Sequence, residues 1–145
     1  MLRVSINICH RHQLYINIQT SVYIDMSESN FNALLNAIEE RNATKVKRLI
    51  ELGGNVTSPS YGYSLFHVAA NHGYATIVEA MAAAKAYIDT PNKHGSGCTP
   101  VHIAAHRGHV DAIKALCALG ADINIPAPDS RTPVHIAAHR GHVDA

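Results

Sequence analysis

The chain has 145 residues, which is a usual length for a single domain. Hydrophobic residues make up 47% of it, aromatic residues only 6%, and Trp is absent, so we expect a core of many small aliphatic contacts. The formal net charge of +1 gives no indication of nucleic acid or an anionic membrane as a partner. Three cysteines at scattered positions fit reduced thiols in a cytoplasmic protein, or a nuclear one, better than a disulfide framework.

Residues 1–25 form a mildly apolar lead. Arg, His, Gln and Asn interrupt it so often that neither a signal peptide nor a membrane span of roughly twenty apolar residues is expected. We expect a poorly ordered lead; a short paired strand is the alternative, because apolar residues recur at Ile16, Ile18, Val22 and Ile24. Met26 has the character of a natural start, because Ser27 or Ser29 can cap a helix that begins near Phe31.

An internal repeat organises the rest of the chain. Residues 99–112 and 132–145 are identical, which gives a period of thirty-three residues. Residues 64–74 follow the same pattern at an offset of thirty-five, so we expect two extra residues in the loop around Lys93 to Gly97. A weaker copy lies in residues 31–56. The predicted units are a divergent capping repeat (26–58), a second repeat (59–92), a third (93–125) and a truncated fourth (126–145).

Each unit is predicted to form two helices and a loop. In the third repeat Thr99 is the N-cap, Pro100 takes the first helical position and Gly108 ends the helix. Apolar residues at three- and four-residue spacing then predict a second amphipathic helix, with Cys117 as a small core residue before Gly120 ends it. Residues 121–131 contain Asp, Asn and two Pro, which predicts a loop or hairpin.

The segment TPVHIAAHRGHVDAIKALCALGADIN resembles an ankyrin repeat, with its Thr-Pro-x-His start, Ala-Ala pair, Gly-His and closing Gly-Ala-Asp-x-Asn. The resemblance covers residues 26–145 and implies an all-α ankyrin-repeat solenoid of about three and a half repeats. It also implies that His67, His102 and His135 hydrogen-bond near their helix starts and tie one repeat to the next. Ser130 stands where the family has Gly and Ala127 where it has Asp, so we expect a differently shaped fourth loop.

The histidines also suggest a metal site, because His at i and i+4 can share one helix face. His102 and His106 have this spacing and His109 follows three residues later, but the glutamate of a zinc-protease motif is missing and Gly108 breaks the helix before the third histidine. We therefore predict no metal, no cofactor and no enzyme. Cys98 lacks a readable His-plus-acid arrangement, and residues 93–97 lack the Gly-Lys-Ser/Thr ending of a phosphate-binding loop.

The resemblance instead implies protein–protein recognition through the hairpin tips and the exposed side of the first helices. The family's variable positions supply our candidate partner-binding residues, which are Tyr61, Tyr63, Asn71, His72, Lys93, Ser96, His106, Arg107, Arg131, His139 and Arg140. Tyr and Arg are frequent at binding hot spots. Together these candidate residues form a stripe that is aromatic at one end and cationic at the other. The alternative is that they are ordinary solvated positions.

Two further interpretations stay open. Eleven histidines gain charge near pH 6, so acid should destabilise the fold if the repeated ones are buried and neutral.

The chain also stops where the fourth repeat's second helix should begin, which leaves Val134, Ile136 and Val143 uncovered. We therefore expect a fragment of a longer array, or a gene model cut short. The alternative function is that of a fragment of a larger multidomain enzyme or effector whose activity lies beyond Ala145. The partner is expected to be a protein, with no membrane or nucleic acid, and the chain a monomer unless its open C-terminal face self-associates.

Overall fold

The computed structural model describes residues 14–17, 22–57, 62–93 and 95–145. In this part the chain forms antiparallel helix pairs, one pair for each predicted repeat, and the fourth pair has only its first helix. The helices are α1 (Met26–Glu39), α2 (Ala43–Glu51), α3 (Leu65–His72), α4 (Ala75–Ala80), a 3₁₀ helix (Ala82–Tyr87), α5 (Pro100–Arg107), α6 (Val110–Ala118) and α7 (Pro133–Arg140).

The helices stack in two rows. The inner row consists of the first helices, where α3 packs against α5 and α5 against α7, and the outer row runs from α2 through α4 to α6. Large side chains fill the space between the rows, and those fully buried include Phe31, Leu34, Phe66, Met81 and Leu116. Each short pair thus buries its apolar face against its neighbours, as a repeat architecture requires. The predicted all-α solenoid is confirmed.

The lead before α1 contains a β-hairpin. Strands β1 (Leu14–Asn17) and β2 (Val22–Asp25) pair antiparallel, with Leu14 opposite Asp25, and β2 leads directly into α1. This hairpin corresponds to the strand alternative for residues 1–25, which we expected to be poorly ordered. The other residues of the lead lie outside the described part.

The predicted ends of the third repeat's helices are confirmed, but one of its core residues is not. Thr99 caps α5, Pro100 begins it and Gly108 ends it in a left-handed conformation. On α6 the buried residues are Ala112, Ala115 and Leu116, whereas Cys117 is exposed. Cys117 follows Leu116 by one position, which turns it about 100° away from the buried face. Its assignment to the core was therefore wrong.

The two extra residues of the second repeat lie in its second helix. Sixteen positions separate Gly73 from Asp89 and fourteen separate Gly108 from Asp122, but the loops that follow are equally long. The additional length coincides with the change from α4 to the 3₁₀ helix, where Ala84 departs from helical dihedrals. The expectation that the loop around Lys93 to Gly97 carries them was wrong.

The fourth loop keeps the backbone conformation of the third loop at its turn although it lacks the glycine. Ser130 has φ +66°, the same value as Gly97 in the preceding loop. The turn is closed by a hydrogen bond from the Ser130 amide to the Ala127 carbonyl, and Ala127 in turn donates to Arg131. In the third loop Asn92 donates to Cys98 instead, so the pairing differs while the left-handed turn is retained. The predicted difference in shape between the third and the fourth loop is therefore a difference in their backbone hydrogen bonds.

A glycine and a histidine from successive repeats fit together at the inner turn. Gly73 ends α3 with φ +73°, and a Cβ built on it would lie 2.8 Å from the His109 ring. Gly108 ends α5 with φ +75°, and its Cβ would lie 2.6 Å from the His142 ring. Both glycines are thus required by the backbone conformation and by the neighbouring ring.

The first repeat replaces this glycine–histidine contact with an arginine and a tyrosine. Arg41 occupies the glycine position with φ +56°, and Tyr74 occupies the histidine position. The Arg41 guanidinium lies 4.3 Å from the centre of the Tyr74 ring, in cation–π geometry. The ring also stacks on His72.

Of the three histidines expected to tie one repeat to the next, His67 does so, whereas within the described part of the chain His102 and His135 hydrogen-bond only to the Thr at their own helix start. Nδ1 of His67 accepts from the Ser64 amide at 3.1 Å, so the ring proton sits on Nε2, which donates to the Cys98 carbonyl at 3.0 Å. His102 makes the same bond to Thr99 at 3.2 Å. Its Nε2 faces the carbonyls of Arg131 and Ile125 without reaching hydrogen-bond geometry with either. Burial lowers the pKa of both rings, against the opposing effect of the carbonyls.

Replacing Gly108 with Ala should destabilise the fold more than replacing Gly141. Both have nearly the same left-handed φ, but nothing lies within 4 Å of a Cβ at Gly141. We expect Gly141→Ala to cost about 1 kcal/mol from backbone strain alone. Gly108→Ala should lose a further 1 kcal/mol or so, because the new methyl group displaces the His142 ring. Urea unfolding of both variants measures the difference, and equal losses would contradict the contact.

The substitution Ser130→Gly should stabilise the fold by about 1 kcal/mol, because a left-handed φ costs free energy in an L-residue and almost none in glycine. The matched reverse change is Gly97→Ser, which should destabilise, since a Cβ there would also lie 2.5 Å from Pro128 Cγ. Thermal melts of the two variants provide the test. A lower melting temperature for Ser130→Gly would show that the serine is not strained.

The fold should be less stable at pH 5.5 than at pH 7.5. A histidine in the unfolded chain titrates near 6.5, whereas the folded pKa of His67 and His102 is lowered. The unfolded chain therefore binds more protons than the folded chain at acid pH. The contribution of the two neutral histidines to the free energy of unfolding is complete above about pH 6.5 and declines as the pH falls toward the folded pKa. Melting temperatures at both pH values measure the effect.

The matched variants for that experiment are His102→Asn, which removes a buried titrating ring, and His139→Asn, which removes an exposed one. The pH-dependent difference should shrink in the first variant and persist in the second. A wild-type melt that does not change between the two pH values would contradict the buried neutral histidines.

Candidate functional site

The inner helices and the loops beside them form a concave groove in two parts. The C-terminal groove is lined by Asn71, Ser96, Cys98, His102, Ile103, His106, Arg107, Ala127, Pro128, Asp129, Arg131, Ile136, His139 and Arg140. The N-terminal groove is lined by Leu35, Glu39, Tyr63, His67, Val68, Asn71, His72, Asn92 and Ile103. Asn71 and Ile103 belong to both parts, so the surface is continuous across the repeats.

Most of the predicted partner-binding residues come together on this surface. Seven of them line the C-terminal groove: Asn71, Ser96, His106, Arg107, Arg131, His139 and Arg140. Tyr63 and His72 line the N-terminal groove. Lys93 is exposed but lines neither part. Tyr61 lies outside the described residues.

Sequence reasoning missed the apolar floor of the groove. Ile103 and Ile136 were interpreted only as helix-forming apolar residues, and Ile136 was expected to be uncovered. Ile136 is in fact buried, at 7% exposure, because α7 packs on α5, while Val134 and Val143 are 62% and 91% exposed. The sequence signal for this floor was that Ile103 and Ile136 stand at the same position after the Thr-Pro pairs of their repeats.

The polar side chains of the groove are held by contacts that repeat from one unit to the next. Arg107 donates from Nε to Oδ1 of Asn71 at 3.0 Å, and His109 contacts the carbonyl of Asn71 through Nε2 at 3.1 Å. One repeat further on, Arg140 contacts the ring of His106 through Nη2, and His142 contacts the carbonyl of His106 at 3.1 Å. The two arginines therefore occupy equivalent, fixed positions.

The charge of the groove is unevenly distributed. Arg131 is paired with Asp129, whose pKa is lowered chiefly by the side-chain hydrogen bond from Arg131, at 2.7 Å from Nε. Arg107 and Arg140 form no ion pair with any described residue. Burial lowers the pKa of His106, with the positive charges of Arg140 and Arg107 acting in the same direction. The C-terminal groove is thus cationic, while the N-terminal groove contains Glu39.

The described residues show neither a cluster of metal ligands nor an activated thiol at Cys117. No three His, Cys, Asp or Glu side chains in the described part converge on a point that could hold a metal ion. Burial and Asp89 raise the pKa of the Cys117 thiol, which disfavours the thiolate form that a nucleophile needs. Among the described helices, none is long and apolar enough to cross a membrane.

Comparison with known proteins agrees with this architecture. A family model described as ankyrin repeats in three copies matches residues 66–145, from the second residue of α3 to the end of the chain. No curated protein matches the chain. The matched region covers more than half of the 145 residues and includes the stacked helix pairs from α3 to α7. The chain therefore belongs to the ankyrin repeat family.

Proposed function

We propose that this chain is a recognition module that binds another protein through its concave groove and hairpin tips and carries out no catalysis itself. Ankyrin repeats generally serve as protein–protein interaction modules. The observation that carries the finer proposal is the continuous groove, in which His72, Arg107 and Arg140 stand on stacked helices and Tyr63 stands on the loop before α3. Side chains fixed before binding lose less conformational entropy on association.

The groove has the composition of an interaction surface. Its floor is apolar at Ile103 and Ile136, and its walls carry Arg, His and Tyr, which are residue types that contribute strongly at protein interfaces. It is an elongated surface across several repeats, which suits a protein segment better than a small molecule. We further propose that the chain acts as a monomer in the cytoplasm or nucleus. Cys98 and Cys117 are free thiols, which supports a reducing compartment.

The direct test is capture of partners from a native lysate with the full chain as bait. The groove variant replaces His106, Arg107, His139 and Arg140 with Ala, since all four are exposed. The control variant replaces Lys47, Arg48, Glu79 and Lys114 with Ala, which are exposed on the outer helices. Circular dichroism verifies that both variants are folded.

A partner that binds through the groove should be recovered with the wild type and the control variant, and reduced at least about tenfold with the groove variant, the loss expected when hot-spot arginines are truncated. A partner recovered equally with all three baits would place the binding surface elsewhere. Absence of any partner from a folded bait would count against the recognition function.

A further inference from the structure

We propose that the segment bound in the C-terminal groove is acidic and extended, and that two of its carboxylates bind Arg107 and Arg140. This inference rests on the proposed recognition function and names the chemistry of the partner. The two arginines are equivalent residues of successive repeats, and both line the same groove.

Both guanidinium groups are oriented and still have free donors. Arg107 uses Nε to bind Asn71, so neither of its Nη groups donates to a described residue. Arg140 contacts His106 through Nη2, which leaves Nε and Nη1. A guanidinium has five N–H donors in a fork that fits a carboxylate with two parallel hydrogen bonds. Each arginine is therefore fixed by one neutral partner and can still receive an anion.

The surrounding charges favour an anion as well. The single carboxylate in the lining of the C-terminal groove, that of Asp129, is already paired with Arg131. Arg107 and Arg140 consequently keep uncompensated positive charge. Because His106 accepts from Arg140, its ring is neutral in this arrangement, and an incoming carboxylate meets two arginines without a competing acid.

A protein segment fits the groove better than a nucleic acid. Ile103, Ile136 and Pro128 give the floor an apolar character that matches aliphatic side chains between the acids. Among the described residues, the lining of the C-terminal groove contains no Phe, Tyr or Trp ring on which a base could stack. The chain's net charge of only +1 also lacks the broad basic surface typical of nucleic-acid binding.

The repeat spacing sets the spacing of the acids. Packed helices lie about 8–10 Å apart, so Arg107 on α5 and Arg140 on α7 present donors at roughly that separation. An extended polyproline II segment has three residues per turn and rises about 3.1 Å per residue, so side chains three positions apart share a face about 9 Å apart. Carboxylates at positions i and i+3 of such a segment can reach both arginines.

The test is selection of binders from a random dodecapeptide display library on the full chain, followed by affinity measurement with synthetic copies of the selected peptides. The variant Arg107→Gln with Arg140→Gln removes both charges but keeps hydrogen-bonding side chains. The matched control, Lys47→Gln with Lys114→Gln, removes two charges from the outer helices. A single-stranded oligonucleotide serves as a second anionic probe.

We expect the selected peptides to contain two Asp or Glu residues three positions apart. Their affinity should fall about tenfold or more in the arginine variant, stay within about twofold in the control and weaken as salt is raised. Neutral or basic peptides that bind in the groove would overturn the acidic partner and leave the recognition function intact. Acidic peptides without this spacing, or unaffected by the arginine variant, would overturn the two-arginine geometry.

Two other results also decide the question. An oligonucleotide that binds more tightly than any selected peptide and depends on the two arginines would replace the protein segment with a nucleic acid. Failure of the library to yield any groove binder would count against both the acidic partner and the recognition function.

Discussion

The contact between a left-handed glycine and a histidine ring of the next repeat fixes how successive units lie on one another. Gly73 with His109 and Gly108 with His142 bring the end of one inner helix against a ring that follows the inner helix of the next repeat. The same histidines reach the carbonyls of Asn71 and His106. A side chain on either glycine would displace the neighbouring ring, so the close contact of α3 with the third repeat and of α5 with the fourth depends on the absence of two Cβ atoms.

This stacking geometry also creates the groove. Since each inner helix has the same orientation toward the next, equivalent residues form rows across the repeats. Arg107 reaches back to Asn71 and Arg140 reaches back to His106 through the same relation. Chemically different side chains can therefore be exchanged along a row without altering the scaffold, which separates the residues that fold the chain from those that select a partner.

The departures from the repeat pattern show how much the stacking tolerates. Arg41 and Tyr74 replace glycine and histidine with a cation–π contact at the first turn. The 3₁₀ helix Ala82–Tyr87 absorbs the additional length of the second repeat. Ser130 adopts the left-handed conformation of the glycine it replaces. In each case the helices still stack although the residues depart from the pattern of the other repeats.

The sequence by itself determined the repeat architecture, because a thirty-three-residue period, Thr-Pro caps and closing glycines each prescribe local backbone conformation. The resemblance also indicated most of the residues that line the groove, since the candidates were taken from the family's variable positions. Only the tertiary structure decided that Cys117 is exposed, that Ile136 is buried and that the additional residues lie in a helix. The same holds for the distribution of charge in the groove, where Asp129 compensates Arg131 but neither Arg107 nor Arg140. These properties depend on which side chains from different repeats approach one another, and a local pattern does not contain that information.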